Sequence, residues 1–84
     1  MIRVLFFARV REALGTDELE VEYPANGWDL DGLQASLSAR GGEGWREVLG
    51  EDNMIRAVNR SVVEGNVSLA DGDEVAFYPP VTGG

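Results

Sequence analysis

Ile2-Arg3-Val4-Leu5-Phe6-Phe7-Ala8 stands near one end of the sequence and Glu74-Val75-Ala76-Phe77-Tyr78 near the other, and these two runs decide the fold. The first is almost continuously apolar and rich in strand formers, which is the pattern of a central strand. Alternation puts Ile2, Val4 and Phe6 on one face and Arg3, Leu5 and Phe7 on the other. In the second run Val75 and Phe77 point one way and Ala76 and Tyr78 the other. The two most apolar strands belong together at the centre of a sheet.

The chain between them supplies the remaining elements. Arg9 to Leu14 leaves the first strand, and Gly15-Thr16-Asp17 provides turn chemistry. Glu18-Leu19-Glu20-Val21-Glu22-Tyr23 then alternates polar and apolar as a half-buried strand does, so the chain is expected to open on a hairpin. After Pro24-Ala25-Asn26-Gly27 the period changes. Asp29 is a candidate N-cap, and Leu30, Leu33 and Leu37 recur at helical spacing. Gly32 weakens this helix, and Gly41-Gly42 ends it near Arg40. Trp45 to Leu49 reads as a second short helical turn. Ile55 to Val58 is a short strand, Asn59-Arg60-Ser61 turns into Val62-Val63, and Leu69-Ala70-Asp71-Gly72-Asp73 is a strong turn.

Strand, strand, helix, strand, short strand, strand, with one main helix to cover one sheet face, predicts an α+β fold. The arrangement is the β-grasp, or ubiquitin-like roll, with a mixed sheet. Its helix-covered face would hold Ile2, Val4, Phe6, Val75 and Phe77. Leu5, Phe7 and Tyr78 fall on the open face with Val62, and a cluster of large apolar groups left in the open marks a protein interface unless a loop folds over it. Residues 1–80 are expected to form the domain and 81–84 a flexible, extended functional tail. Pro79 and Pro80 cannot donate ladder hydrogen bonds, so the last strand stops there. Four extended residues beyond them reach roughly 13 Å. Gly83 and Gly84 have no Cβ and suit a narrow channel, at whose end the distinctive group is the terminal carboxylate.

Composition narrows the chemistry. The 84 residues include no Cys, no His and no Lys, and all seven basic residues are Arg. Thiolate, imidazole and amine chemistry are therefore unavailable from side chains, which argues against catalysis by this chain alone and against a metal centre. The formal charge of −8 disfavours nucleic acid and anionic membrane surfaces; most of it reads simply as solubility, while its long-range attraction would favour a basic partner surface. No run is long enough to span a membrane and the N-terminus has no signal-peptide pattern, so a cytoplasmic location is expected. Glu18, Glu20 and Glu22 alternate with apolar residues as a solvated strand face does. Asp71, Asp73 and Glu74 surround Gly72 as a turn would, Gly41 to Gly44 lacks the Lys of a phosphate loop, and Asn66-Val67-Ser68 is a glycosylation sequon without use inside a cell.

Leu5-Phe6-Phe7-Ala8-Arg9-Val10-Arg11-Glu12, Ala57-Val58-Asn59, Leu69-x-Asp71-Gly72-Asp73-Glu74-Val75-Ala76-Phe77 and the ending Pro79-Pro80-Val81-Thr82-Gly83-Gly84 together resemble the small, sulfur-carrier subunit family of molybdopterin synthase. The resemblance runs end to end and is weakest from Trp28 to Asn53. It implies that an activating enzyme related to ubiquitin activators adenylates the Gly84 carboxylate with ATP. Sulfur from a persulfide donor then leaves a terminal thiocarboxylate. The tail, Pro79, Pro80, Val81, Thr82 and Gly83, would thread into the large synthase subunit, where the sulfur passes to a pyranopterin precursor; a heterotetramer is implied. Phe7, Val62 and Tyr78 match the family's docking surface, and Arg11 matches a position near the activating enzyme. The chain itself would hold no cofactor, the ATP belonging to its partner. A thiamine-type sulfur carrier and a ubiquitin-like protein modifier share the fold and the Gly-Gly ending. A passive interaction domain would keep its binding without Gly84.

Overall fold

The computed structural model describes residues 1–50 and 54–79. In chain order these form β1 (Ile2–Phe6), α1 (Ala8–Leu14), β2 (Glu18–Val21), β3 (Trp28–Asp29), α2 (Leu30–Gly41), α3 (Glu43–Leu49), β4 (Ile55–Val58), β5 (Ser61–Val63), β6 (Ser68–Leu69) and β7 (Glu74–Tyr78). Five strands make a mixed sheet in the order β2-β1-β7-β4-β5, and β3 pairs with β6 apart from it. β1 and β7 lie side by side and parallel, Val4 opposite Val75 and Leu5 opposite Ala76, as their composition requires. β2 and β4 flank this pair antiparallel, and the β-grasp expectation holds.

The face assignment also holds. Ile2, Val4, Phe6, Val75 and Phe77 are buried beneath Leu30, Leu33 and Leu37 of α2. Phe6 stacks on Phe77 with ring centroids 5.8 Å apart and meets the edge of Trp45 at 5.7 Å. Each such apolar side chain contributes roughly 1.5–3 kcal/mol by leaving water. Among the described residues no polar side chain is buried.

Three features depart from the expectation. Arg9 to Leu14, read as a plain exit from β1, belongs to helix α1, which begins at Ala8, so β1 and β2 are joined through it rather than by a tight hairpin. Val10 and Leu14, four residues apart, drop into the core, and Gly15 closes the helix in the left-handed region (φ 70°) with its N–H on the Arg11 carbonyl. α3 begins at Glu43, two residues before the expected turn. The β3–β6 pair was not foreseen; the Tyr23 hydroxyl, donating to the Leu69 carbonyl at 2.8 Å, secures it.

Helix α2 begins where Asp29 places it. The Asp29 carboxylate accepts from the Gly32 N–H at 2.7 Å, Asn66 Oδ1 takes the Asp31 N–H at 2.9 Å, and the Val67 carbonyl takes the Leu30 N–H at 2.9 Å. Three N-terminal donors that the helix cannot satisfy internally are thus met. The Asn66 side chain also donates to Asp29 at 3.1 Å, so the sequon asparagine is a structural brace. Arg56 ties β4 to this region, donating to Asp31 at 2.6 Å, Gln34 at 3.0 Å and the Gly65 carbonyl at 2.7 Å. At the β4–β5 turn Asn59 and Arg60 both have positive φ, the primed two-residue hairpin geometry. The Asn59 amide grips β7, accepting the Glu74 N–H and donating to Asp73, each at 3.0 Å.

The Asn66 amide, and after it the Gly32 N–H, hold the Asp29 carboxyl below the usual aspartate range. A carboxylate whose pKa is lowered by folding stabilises the fold above its unfolded pKa, and that contribution fades as pH falls through the folded value. Asp29→Ala is expected to lower the melting temperature at neutral pH and by progressively less on acidification. A gap between the two melting curves that stays constant into strong acid would count against this. A second expectation concerns Gly41. Ala there would gain about 1 kcal/mol of helix propensity, but its Cβ would lie 2.1 Å from the Trp45 ring and 2.6 Å from the Trp45 Cβ. Gly41→Ala should therefore destabilise by about 1–3 kcal/mol, read by urea unfolding, with a shift in tryptophan emission.

Candidate functional site

The open face of the sheet carries a continuous apolar row. Pairing aligns Leu5, Ala76, Ala57 and Val62 across β1, β7, β4 and β5, and sets Ile55 beside Tyr78 in the next row. Side chains opposite one another across such ladders share a face. Phe7 follows β1 on the same side, with its N–H on the Phe77 carbonyl at 3.2 Å, and its ring lies flat on Tyr78 at 4.7 Å with 5° between planes. Ala8 directly after it has φ 51°, a left-handed conformation costly for any residue but glycine, and there the chain leaves the sheet for α1.

This face is shaped by residue size. Ala57 and Ala76 are 3% and 6% exposed, a floor of two small side chains in register, whereas Val62 at the margin is 68% exposed. Phe7 and Tyr78 form a half-buried wall at the end where β7 gives way to Pro79. The charged margin lies at β2 and at the β4–β5 turn. There Arg3 pairs with Glu18 at 3.0 Å, and Arg60 lies 3.5 Å from Glu74. Glu18, Glu20 and Glu22 are all exposed along one strand face, as their alternation predicted. Asp73 caps the preceding turn through the Ala70 N–H at 2.8 Å. Among the described residues no group of three or more acidic side chains is placed to hold a metal.

The residues singled out from the sequence are therefore only partly assembled. Phe7 and Tyr78 touch, and Val62 shares their face two strands away from Tyr78. Arg11 is exposed on α1, one turn past Phe7, whose carbonyl accepts its N–H, and it takes no part in the stack. Pro79 lies with Arg9, Val10, Ala13 and Val48 around a cleft of about 110 Å³ at the α1–α3 side. Pro80, Val81, Thr82, Gly83 and Gly84 lie outside the described residues. The Ala57–Ala76 floor was missed; strand alternation hints at it, but the cross-strand register that joins the two alanines is a property of the fold.

A family model described as the ThiS family matches residues 4–84. The chain belongs to the ThiS family. It is 44% identical over 86 residues to the molybdopterin synthase sulfur carrier subunit of Escherichia coli (strain K12), covering 100% of both chains. Its fold is similar to a chain in the protein–protein complex of subunits 1 and 2 of molybdopterin-converting factor from Helicobacter pylori 26695 (TM-score 0.66, 31% identity, 99% of this chain and 97% of that one). It is also similar to small archaeal modifier protein 1 of Haloferax volcanii (TM-score 0.63, 26% identity, 95% and 97% covered). The resemblance read from the sequence blocks is thus borne out.

Side chains on the open face, away from the core, should weigh lightly on folding. Truncating the Phe7–Tyr78 stack, by Phe7→Ala or Tyr78→Ala, should cost about 0.5–1.5 kcal/mol beyond the small area lost. Phe77→Ala, one residue before Tyr78 and pointing into the core, should cost about 3–5 kcal/mol. Urea unfolding of the three variants checks the contrast.

Proposed function

We propose that this chain is a sulfur carrier in molybdenum cofactor biosynthesis and that its working group is the Gly84 carboxylate. The observation that carries the reading is a juxtaposition: the open, apolar face of the sheet ends, at the half-buried Phe7 and Tyr78, where the chain runs into Pro79 and, in sequence, the Gly-Gly segment. A partner seated on that face receives the tail with it. The full-length likeness to a protein named as a sulfur carrier subunit, and the fold likeness to one seen in a two-subunit complex, support it.

In this mechanism a free carboxylate is a poor electrophile, because its charge repels nucleophiles and oxide is a bad leaving group. An adenylating enzyme of the ubiquitin-activator type joins the Gly84 carboxylate to AMP at the expense of ATP. The outer sulfur of a persulfide donor attacks the acyl carbon and expels AMP, giving an acyl disulfide, and a thiol of the donor system cleaves that S–S bond, leaving the thiocarboxylate and a donor disulfide. The domain, residues 1–80, then docks through Phe7, Val62 and Tyr78 on the large synthase subunit. Pro79 and Pro80 meet the partner at the rim, and Val81, Thr82 and the bare Gly83 pass into that subunit's active site, where the sulfur is given to a pyranopterin precursor. Arg11, away from the stack, is left for the activating enzyme. The chain is a cytoplasmic subunit without catalysis of its own; ATP and all acid–base groups come from its partners, in a heterotetramer with the large subunit.

A second reading, attachment of the activated tail to lysines of other proteins, is favoured by the likeness to small archaeal modifier protein 1. Fragmentation mass spectrometry of the C-terminal peptide from the native cell separates the two: sulfur on Gly84 supports the carrier, an amide bond to a foreign lysine the modifier. Deleting Gly84 is expected to abolish dithiolene formation in the reconstituted synthase while leaving docking measurable. An unchanged rate would sink the carrier reading. Phe7→Ala is expected to weaken binding to the large subunit by about 2 kcal/mol or more, roughly thirtyfold, as titration calorimetry reads it.

A further inference from the structure

The middle of the open face is made of small side chains where a sheet would ordinarily carry large ones. Ala76 of β7 pairs with Leu5 on one side and with Ala57 of β4 on the other, and Ala57 pairs with Val62. Strand interiors favour β-branched and aromatic residues, and alanine is depleted there because it has little to pack. On the helix-covered face the same central strands follow that preference, with Val4 and Phe6 on β1 and Val75 and Phe77 on β7. Two alanines set opposite one another contribute less to a sheet than a branched or aromatic pair. Sheet stability alone does not account for them.

Both alanines are buried, yet neither belongs to the core cluster that α1, α2 and α3 cover. Their cover comes from the open face itself. Leu5 and Val62 stand at the two ends of the row, and Ile55 and Tyr78 lie side by side in the next. A side chain that stops at Cβ lets taller neighbours close over it, so the middle of the face is low and apolar. The margin is charged. On β2 Glu18 lies opposite Leu5 and Glu20 opposite Arg3, while Glu74 of β7 lies opposite Arg3 on its other side. Arg3 is paired with Glu18 and Arg60 with Glu74, and Glu20 has no ion-pair partner among the described residues. A low apolar middle edged by carboxylates fits a flat apolar surface with cationic side chains outside it. A second copy of this chain would bring the same carboxylates and a further formal charge of −8, and is opposed on charge.

We propose that Ala57 and Ala76 determine which partner fits: they keep the middle of the open face low enough for a flat apolar surface of the large synthase subunit, edged by Arg or Lys, to close on it without a gap. The inference rests on the proposed docking of this face on that subunit. Methyl groups added at either position would stand in the plane of contact and hold the two surfaces apart. Overpacking of that kind shifts an equilibrium by a factor of roughly 5–150.

The test sets folding against binding in the full chain. Ala57→Val and Ala76→Val enlarge the floor with a residue that strands favour. Val75→Ile, one residue before Ala76, enlarges the core face instead. Thermal melts, and titration calorimetry against the purified large subunit, are run on the three variants and the unaltered chain. Ala57→Val and Ala76→Val are expected to melt within about 4 °C of the unaltered chain and to bind about tenfold or more weakly. Val75→Ile is expected to melt lower and to bind as the unaltered chain does. Affinity of the unaltered chain should fall as salt is raised, and Glu20→Gln should flatten that dependence. The proposal is overturned if both alanine variants bind as the unaltered chain does, if they lose affinity only together with their fold, or if the affinity is independent of salt. A dimer of the unaltered chain that either alanine variant dissociates, read by sedimentation, would give the face to a second copy and overturn it equally. If the unaltered chain does not bind the large subunit at all, the carrier reading falls and takes this inference with it, whatever the variants do.

Discussion

The parallel pairing of β1 with β7 is the constraint on which the rest of the molecule depends. Two strands far apart in sequence share the centre of the sheet, and each gives its large apolar residues alternately to two faces. One set, Ile2, Val4, Phe6, Val75 and Phe77, requires a cover, which α2 supplies with Leu30, Leu33 and Leu37. The other set requires nothing from the fold and stays available. Because the strands run parallel, the end of β1 and the end of β7 coincide. Phe7, Tyr78 and Pro79 are thereby gathered at one end of the sheet without any further device.

How much of this was legible depended on the range of the signal. The core faces of β1 and β7 follow from alternation within five residues, and the start of α2 from Asp29 and three leucines. The Phe7–Tyr78 contact followed once the two strands were placed together. α1 was missed because seven residues hold only two core positions, Val10 and Leu14, among Arg9, Arg11 and Glu12. So short a helix exists by tertiary burial rather than by its own propensity. β3 and β6 are two residues each, below the length at which a period can be seen at all. The alanine floor is a relation between strands, visible only when β4 and β7 are in register.

Several polar devices hold the single-sided fold in place. Arg56, reaching Asp31, Gln34 and the Gly65 carbonyl, joins β4 and the segment after β5 to α2. Asn59 joins the β4–β5 turn to the first residue of β7, and Asn66 joins the β5–β6 connection to the start of α2. Each uses a side-chain fork to satisfy backbone or charged partners on two elements. Together they fix the position of β5, and so of Val62, although the adjoining strand is only three residues long.

The position of β7 in the chain also sets an order of events during synthesis. A ribosome releases this strand last, and until it inserts between β1 and β4 the sheet has no centre, Phe7 has no Tyr78 to lie against and the Ala57–Ala76 floor has half its width. Contacts of such long sequence separation form late because a large loop must close first. A chain that has not yet placed β7 therefore lacks the centre of its sheet and the Phe7–Tyr78 stack, both at once. The topology thus makes the Phe7–Tyr78 stack and the alanine floor a mark that a strand from the far part of the sequence has been placed.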